Sequence, residues 1–490
     1  MNPQTPGRSP VAGRRRRPRS RAAAARSVDP ARQVAFDLLR AVAERDAYAN
    51  LILPSLLRRA GLTGRDAAFA TELGYGALRG QGSYDVIIAA CAQRPATEID
   101  PPVLDALRLG AHQLLATRVP AHAAVAATVD LVRAEVGGGA AGFANAVLRR
   151  IAERGLEPWL ADLAPDRDRD PDGHLAVLTS HPAWVVRAFR DALVSAGRPA
   201  GELDDLLAAD TVRPRVCLAA LPGLSDPGEL AAAGARPTGL SPLAAQVSGP
   251  PEEVPAVRAG RARVQDEGCL LVALALAAAP LDGPDTGRWL DLCAGPGGKS
   301  AVLAAELADR RSRGELPGGA GLVAVEALEQ RVGLVATAVR AVPGDVELRH
   351  GDGTRVGETE PGRYDRVLVD VPCTGLGALR RRPESRWRRR PADLPALTPL
   401  QRKLLASALD AVRPGGVVGY VTCSPHPAET RLAVDDVLRR RGDTHRLDAR
   451  ASLAAAAGGP VPELGPGPDL QLWPHLHGTD AMFLSLLRRT

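Results

Sequence analysis

The sequence is short of cysteine, and this scarcity disfavours two kinds of site. The 490 residues include six cysteines and no Cys-x-x-Cys pair. A zinc site built on such pairs and a secreted disulfide framework are therefore not expected. We predict no bound metal and a reducing, cytoplasmic location. The six are Cys91, Cys217, Cys269, Cys293, Cys373 and Cys423.

Long apolar runs, aromatic residues and lysine are also scarce. No apolar run reaches the ~20 residues of a membrane-spanning helix, so no membrane association is expected. Aromatic residues make up 3% of the chain, which makes extended base stacking a poor model for nucleic-acid binding. Of the 62 basic residues only Lys299 and Lys403 are lysines. A lysine retained in such a composition suggests a position where lysine is needed.

Acidic residues are absent from the first 28 positions, which hold eight arginines. This segment has no apolar stretch like that of a secretory signal. We predict a disordered basic arm over residues 1–28, either a solvated tail or a non-specific anchor on nucleic acid. The net charge of +6 suits a polyanionic partner without proving one.

The rest of the chain is too long for one hydrophobic core, and its patterns predict three regions. Residues 29–160 show helical periodicity, closed at several points by glycine, and predict an all-helical domain of five to seven helices. Residues 174–257 predict a small α+β linking subdomain. From residue 258 to 490 short apolar strands alternate with helices.

This last region predicts an α/β fold with a mostly parallel, Rossmann-like sheet covered on both faces. The five predicted strands are 288–293, 321–327, 345–351, 365–371 and 416–423. Ligands of such sheets bind beyond the carboxyl ends of the strands, near the switch in strand order. All the motifs described below follow predicted strands at that edge.

The segment "DLCAGPGGKS" follows the first of these strands and opens a helix, so it predicts a loop that binds a ligand with its backbone. A P-loop would need glycine at Cys293, and a dinucleotide fingerprint would need glycine at Ser300. The remaining interpretation is S-adenosylmethionine. Glu326 and Asp352, after the second and third strands, are then placed to accept hydrogen bonds from ribose and adenine, although either alone could be a surface carboxylate.

Cys373 and Cys423 follow the fourth and fifth strands, which we expect to be neighbours ~4.8 Å apart. A lone cysteine is usually a buried small hydrophobic residue. A pair beside a methyl-donor pocket suggests methylation of a pyrimidine carbon, because a thiolate adding to carbon 6 of cytosine makes carbon 5 nucleophilic. Asp370 is placed to protonate or hydrogen-bond ring nitrogen 3. The sequence "DVPC" disfavours amino-nitrogen methyltransferases, which carry Asn/Asp-Pro-Pro-aromatic there.

In order along the chain, "DLCAGPGGKS", "DVPCTGLG", "RRRPESRW", "VTCSPHPAET" and "HGTDAMFLSLLRR" resemble blocks of the Sun (Fmu) family of RNA cytosine 5-methyltransferases. The resemblance implies that Cys423 is the attacking nucleophile, that Cys373 is needed for release, and that Asp370 assists at the base. It also implies that the cofactor contacts are Cys293, Ala294, Gly295, Pro296, Gly297, Gly298, Lys299, Glu326, Arg331, Asp352 and Asp370.

The helical region resembles the NusB-like fold of RNA-binding antitermination factors, at "RDAAFATELGYGALRG" and "FANAVLRR". The combination is similar to the bacterial ribosomal RNA small-subunit methyltransferase B group. Three details depart from the family pattern. Glu326 stands where Asp is common, "VQDEGCL" matches its block only in part, and Glu429 lacks the usual second Glu after it.

An arginine-rich stretch from Arg380 to Arg390 follows the Cys373 motif and predicts phosphate contacts beside the target base. The alternative is a solvated charged loop. The target cytosine must be unpaired or flipped out for carbon 5 to be reached. The residues predicted to contact RNA are Arg380, Arg381, Arg382, Arg386 and Trp387.

The sequence hypothesis is a monomeric enzyme that makes 5-methylcytosine in small-subunit (16S) ribosomal RNA from S-adenosylmethionine. One alternative is the same reaction on transfer RNA. Another is a non-catalytic NusB-like RNA-binding or antitermination protein with a decayed methyltransferase domain. The intact "GPGGK", "DVPC" and "TCS" segments argue against decay.

Overall fold

The computed structural model describes residues 28–45 and 47–490. The basic arm predicted for residues 1–28 lies outside these residues except for Val28. None of the described helices is long and apolar enough to cross a membrane. The chain divides into two compact units. The first comprises the described residues up to Ala47 with Leu51–Ala77 and Tyr84–Trp159, and the second comprises Tyr48–Asn50, Leu78–Ser83 and Leu160–Thr490.

The described residues between Pro30 and Leu163 form eight α-helices, where five to seven were predicted. In the first of them Val34 and Leu38, one turn apart, are buried on the same face, in keeping with the helical periodicity of the sequence. The helices are α1 (Pro30–Arg45), α2 (Ala49–Ala60), α3 (Gly64–Arg79), α4 (Gln81–Ala92), α5 (Pro101–Ala116), α6 (Ala121–Glu135), α7 (Gly138–Ile151) and α8 (Leu156–Leu163).

A small antiparallel sheet with the strand order β2-β3-β1-β4 follows three further helices. Its last strand lies beyond residue 257, so the predicted boundary at that point separates β4 from the sheet to which it belongs. A strand of three residues is too short to show a period. The elements are α9 (Pro171–Thr179), α10 (Ala183–Ser195), α11 (Leu203–Thr211), β1 (Val216–Ala220), α12 (Pro227–Ala232), β2 (Arg236–Pro237), β3 (Ala244–Val247), α13 (Pro255–Arg258) and β4 (Ala262–Val264).

The remaining residues form an eight-stranded mixed sheet, in the order β10-β12-β9-β8-β5-β6-β7 with β11 paired to β12. This confirms the predicted Rossmann-like fold class. The elements are α14 (Glu267–Ala278), β5 (Arg288–Asp291), α15 (Gly298–Ser312), β6 (Gly321–Glu326), α16 (Glu329–Val339), β7 (Val346–His350), α17 (Val356–Thr359), β8 (Tyr364–Asp370), α18 (Ser385–Arg388), α19 (Leu394–Ala411), β9 (Val412–Thr422), α20 (Arg431–Leu438), β10 (Thr444–Leu447), α21 (Ala449–Ala457), β11 (Leu470–Gln471), α22 (Pro474–His477) and β12 (Phe483–Arg489).

The central strands read as continuous apolar runs because both faces of the sheet are covered. In β8, Leu368 belongs to the core that includes α14, whereas Val367 and Val369 belong to the core that includes α19. Strands alternate their side chains between faces, so burial on both sides makes residues 367–369 of β8 apolar without interruption.

The strand order reverses between β5 and β8, because the chain runs outward from β5 through β6 and β7 and then returns to the other side of β5. The pairs β5–β6, β5–β8 and β8–β9 are all parallel. Their carboxyl ends therefore open into one crevice. In the β8–β9 pair Asp370 lies opposite Val421, so the two cysteine segments leave neighbouring strands, as the sequence predicted.

Candidate active site

The glycine loop after β5 is held close to the end of β6. The Ala294 N–H donates to the Val325 carbonyl at 2.9 Å, and the Gly295 N–H donates to Glu326 Oε2 at 2.9 Å. Gly297 has a φ of +97°, and a Cβ atom there would lie 2.6 Å from the Cβ of Ala338. Only glycine meets both requirements, so the loop can pack closely against helix α16.

The two acids predicted to hold the cofactor differ in exposure. Glu326 is buried, and its Oε1 accepts a 2.8 Å hydrogen bond from Leu328 N. Asp352 is exposed, and hydrogen bonds from Thr354 together with the nearby Lys403 charge lower the pKa of its carboxyl. A carboxylate oxygen can accept two hydrogen bonds, so both side chains remain able to take hydroxyl or amine donors of a ligand.

Lys299, the first residue after the glycines, forms an ion pair with Asp370 across the crevice, with Nζ 2.6 Å from Oδ2. Only 11% of the lysine side chain is exposed. Burial opposes its charge, but the Asp370 carboxylate outweighs this effect and raises the pKa of Lys299. The pair therefore keeps Lys299 charged, with its ammonium donating a hydrogen bond to the Asp370 carboxylate at the mouth of the sheet.

Cys373 and Cys423 lie with their sulfur atoms 3.4 Å apart. The hydrogen bond between them, together with the Arg382 and Lys299 charges, lowers the pKa of Cys423 even though burial and Asp370 oppose this. The same hydrogen bond and burial raise the pKa of Cys373 well above that of a free thiol. Of the two thiols, Cys423 is therefore the more readily ionised, with the Cys373 thiol donating to it.

A fully buried carboxylate holds the segment that carries Cys373. Glu429 Oε1 accepts hydrogen bonds from Thr374 N at 2.8 Å and from Gln401 Nε2 at 3.1 Å. Glu429 Oε2 accepts from the Thr374 hydroxyl, which lies 3.1 Å from Ser424 Oγ. The network joins the loop after β8, helix α19 and the loop after β9, and so sets the spacing of the two cysteines.

Two predicted RNA contacts are engaged with acids instead of facing solvent freely. Arg380 Nη2 donates to Asp266 Oδ2 at 3.0 Å, and Arg381 forms an ion pair with Asp480. Among the described residues, Asp266, Cys269 and Asp480 form the one group with metal-like spacing. Because arginine already neutralises both of its carboxylates, this group carries no metal assignment, and the absence of a bound metal stays a prediction.

The prediction that Arg386 contacts RNA is wrong. Its side chain is fully buried, and its guanidinium donates to the carbonyls of Ser180 at 3.1 Å and Asp210 at 2.6 Å. Burial lowers the pKa of Arg386 to about 10. An arginine with this environment is a structural residue. Arg382 and Trp387 are partly exposed, and their contact with RNA stays a prediction.

Sequence reasoning did not assign roles to the buried polar residues behind the cysteines. Gln401, Thr374 and Ser424 lie in three segments and carry no motif by themselves. Glu429 was noticed only because the residue after it departs from the family pattern. Its complete burial depends on long-range packing, which no local pattern records.

The crevice combines a glycine loop, two carboxylates at the ends of the neighbouring strands β6 and β7, and a pair of cysteines in hydrogen-bond contact. A Cβ atom at Gly295 would lie 2.1 Å from Glu326 Oε2, so only glycine lets the loop backbone approach the carboxylate that is placed for the ribose. The residues present therefore fit S-adenosylmethionine. Two sulfur atoms beside an ion pair can perform covalent catalysis on a small planar ring.

Comparisons with known proteins agree with this geometry. A family model described as 16S rRNA methyltransferase RsmB/F matches residues 278–488, and a NusB family model matches residues 29–153. Rv1407 of Mycobacterium tuberculosis, which carries the name of a methyltransferase, is 54% identical over 474 residues, covering 96% of this chain and 99% of the relative.

Two further comparisons cover most of the chain. The ribosomal RNA small subunit methyltransferase B of Pseudomonas putida is 31% identical over 441 residues, covering 87% of this chain and 92% of the relative. The crystal structure of PH0851 superposes with a TM-score of 0.74 at 21% identity, covering 94% of this chain and 99% of that one. The second comparison shows the fold alone.

Proposed function

Since this chain belongs to the 16S rRNA methyltransferase RsmB/F family, a family of S-adenosylmethionine-dependent RNA methyltransferases, we propose that it methylates carbon 5 of a cytosine in small-subunit ribosomal RNA. The observation that carries the proposal is the 3.4 Å contact of Cys373 and Cys423 beside the glycine loop. A polar packing role would not call for two thiols at the ends of adjacent strands.

In the proposed reaction the Cys423 thiolate adds to carbon 6 of the cytosine. The Lys299 ammonium gives up a proton, relayed by the Asp370 carboxyl, to ring nitrogen 3 as the sulfur–carbon bond forms, so no full negative charge develops on the ring. Bound S-adenosylmethionine supplies an electrophilic methyl group to the activated carbon 5. The lowered pKa of Cys423 makes the attacking thiolate easier to form before the base arrives.

Release reverses the covalent step. The carbon-5 proton leaves to water, the nitrogen-3 proton returns to the Lys299–Asp370 pair, and the sulfur–carbon electron pair returns to Cys423. The Cys373 thiol stabilises the departing Cys423 thiolate by donating the hydrogen bond seen across 3.4 Å. This division of labour assigns bond formation to Cys423 and bond breaking to Cys373.

The RNA contacts are proposed at the partly exposed side of the arginine-rich stretch. Arg382 lowers the pKa of Cys423 and so lies near the reacting sulfur, where its charge also suits a phosphate next to the target nucleotide. Trp387 offers an aromatic face for a base. Arg380 and Arg381 would contribute charge only in part, because Asp266 and Asp480 already pair with them.

The substrate is tested by incubating the protein with methyl-labelled S-adenosylmethionine and free 16S ribosomal RNA, assembled small subunits or transfer RNA, and mapping 5-methylcytosine. We expect label in 16S ribosomal RNA or the subunit. Label in transfer RNA alone would move the substrate to that class. Lack of incorporation into all three would favour a non-catalytic RNA-binding protein and refute the proposal.

The two cysteine roles are tested by a matched pair of variants. Cys423→Ala is expected to abolish methyl transfer and to form no adduct. Cys373→Ala is expected to accumulate a protein–RNA adduct that survives denaturing electrophoresis, because the bond forms and is not broken. An active Cys423→Ala variant together with an inactive Cys373→Ala variant would reverse the assignment.

A further inference from the structure

Gln265, between β4 and α14, is a buried amide without a partner. Only 7% of the residue is exposed, and neither Oε1 nor Nε2 meets a hydrogen-bond partner among the described residues. Burying an amide whose donor and acceptor both stay unpaired costs free energy, so such groups are rare in folded proteins. A polar ligand that enters the site would remove this cost.

The backbone around Gln265 is fixed, so the amide is held in place. The Gln265 N–H donates to the Cys217 carbonyl at 3.1 Å. The next residue, Asp266, caps α14 by accepting a 3.0 Å hydrogen bond from Gly268 N. The backbone at Gln265 is therefore fixed between β4 and α14, which sets the point from which the amide projects.

The amide faces the glycine loop at the start of α15. A Cβ atom at Gly298 would lie 3.3 Å from Gln265 Oε1 and 3.7 Å from Gln265 Nε2. Helix α15 has 15 residues, and its first N–H groups point out of its N-terminal end. This end carries partial positive charge and favours a carboxylate.

The chemistry of the two features together identifies a ligand group. A primary amide offers one donor and one acceptor side by side, and the helix end adds further donors. An α-amino acid head has a carboxylate that needs donors and an ammonium that needs an acceptor. Adenine and ribose do not combine these charges, so the match is to the amino-acid end of the methyl donor.

We propose that Gln265 binds the amino-acid end of S-adenosylmethionine, with Nε2 donating to its carboxylate and Oε1 accepting from its ammonium. The inference rests on the proposed function only for the identity of the cofactor. It gives a role to a residue of the partly matched "VQDEGCL" segment. Gln265 would then bind one end of the cofactor, and Glu326 and Asp352 would bind the ribose and adenine at the other end.

The test is calorimetric titration of the full chain with S-adenosylhomocysteine and with 5′-methylthioadenosine, which lacks the amino-acid head. Gln265→Met keeps the side-chain volume and removes the amide. We expect it to weaken S-adenosylhomocysteine binding roughly 10- to 100-fold and to change methylthioadenosine binding less than about twofold. Gln471→Met is the matched control, because Gln471 is also 7% exposed but donates to the Leu472 carbonyl at 3.0 Å.

Gln265→Glu separates the contact to the ligand carboxylate from the contact to the ligand ammonium, because it keeps a hydrogen-bond acceptor and replaces the donor. The variant is expected to bind S-adenosylhomocysteine more weakly than the wild type does. It should bind the decarboxylated analogue, which has an aminopropyl chain and no carboxylate, as tightly as the wild type does. An equal loss of affinity for all ligands, or no loss of affinity for S-adenosylhomocysteine, would overturn the role of Gln265. Cofactor binding and the proposed function would then remain intact. If wild-type protein bound no S-adenosylhomocysteine, both would fail.

Discussion

The hydrogen bonds of Glu429 allow the effect of replacing it to be worked out in advance. In Glu429→Ala the Thr374 N–H loses its acceptor. Gln401 Nε2 loses its hydrogen bond to Glu429 and keeps the one to the Pro372 carbonyl at 2.9 Å, so one of its two N–H groups is left unpaired. The Thr374 hydroxyl can turn to Ser424. Two buried donors are then orphaned at about 1–3 kcal/mol each, so we expect a loss of about 2–6 kcal/mol.

Glu429→Gln is the matched control with the same shape. Its amide oxygen can occupy the Oε1 position and keep both N–H donors, and its amide nitrogen can donate to Thr374 Oγ1, whose hydrogen then turns to Ser424 Oγ. Only the charge of the acceptor is lost, which weakens hydrogen bonds without removing them. We expect a loss of about 1 kcal/mol.

The difference is measured by amide hydrogen exchange of β9, read from peptides covering Val412–Thr422 by mass spectrometry. A loss of about 2 kcal/mol or more corresponds to exchange accelerated roughly 30-fold or more in the alanine variant. The glutamine variant should stay within roughly tenfold of the wild type. Equal exchange in the two variants would refute the account of Glu429 as the acceptor that joins the cysteine loops.

Two further predictions follow from burial and close packing. Burial raises the pKa of the Asp291 carboxyl from 3.8 to about 6. The contribution of Asp291 to stability is therefore fully present below pH 3.8 and is lost as the pH rises through 6. The melting temperature of the wild type, relative to that of Asp291→Asn, should fall between about pH 4 and 7. A Cβ atom at Gly377 would lie 2.4 Å from the Ala481 carbonyl oxygen and 2.8 Å from that of Cys423, so Gly377→Ala should reduce methyl transfer more than tenfold. Gly333→Ala in α16, with nothing within 4 Å, should leave activity unchanged and stabilise the helix by about 1 kcal/mol. A fully active Gly377→Ala variant, or a constant melting difference across this pH range, would contradict the respective argument.

The local sequence pattern was sufficient to predict the central strands of the large sheet and insufficient to predict the arrangement of its edge. Strands β5 to β9 were predictable because strand-like segments alternate with helical ones along this region, and parallel sheets of this kind follow few strand orders. The insertion of β12 between β9 and β10 depends on pairing across distant segments. The "HGTDAMFLSLLRR" block was identified by resemblance, but its place in the sheet was not.

The same distinction holds within the site. The approach of Cys373 to Cys423 follows from two neighbouring strands, so it could be predicted from their positions alone. The seven arginines between Arg380 and Arg390 look alike in sequence, and only the packed structure shows that Arg386 points inward. The role of a buried polar residue such as Gln401 can be recognised only when the positions of its hydrogen-bond partners are also known.

The near absence of lysine has a practical consequence for measuring cofactor binding. Lys299 is buried and held as an ammonium by Asp370, so an amine-reactive dye would react poorly with it. Lys403 is exposed, and its charge acts on Asp352 at the proposed adenine site. Apart from the terminal amine, a dye would therefore label one side chain. A fluorophore there would lie beside the cofactor and report its arrival and departure without any engineered cysteine.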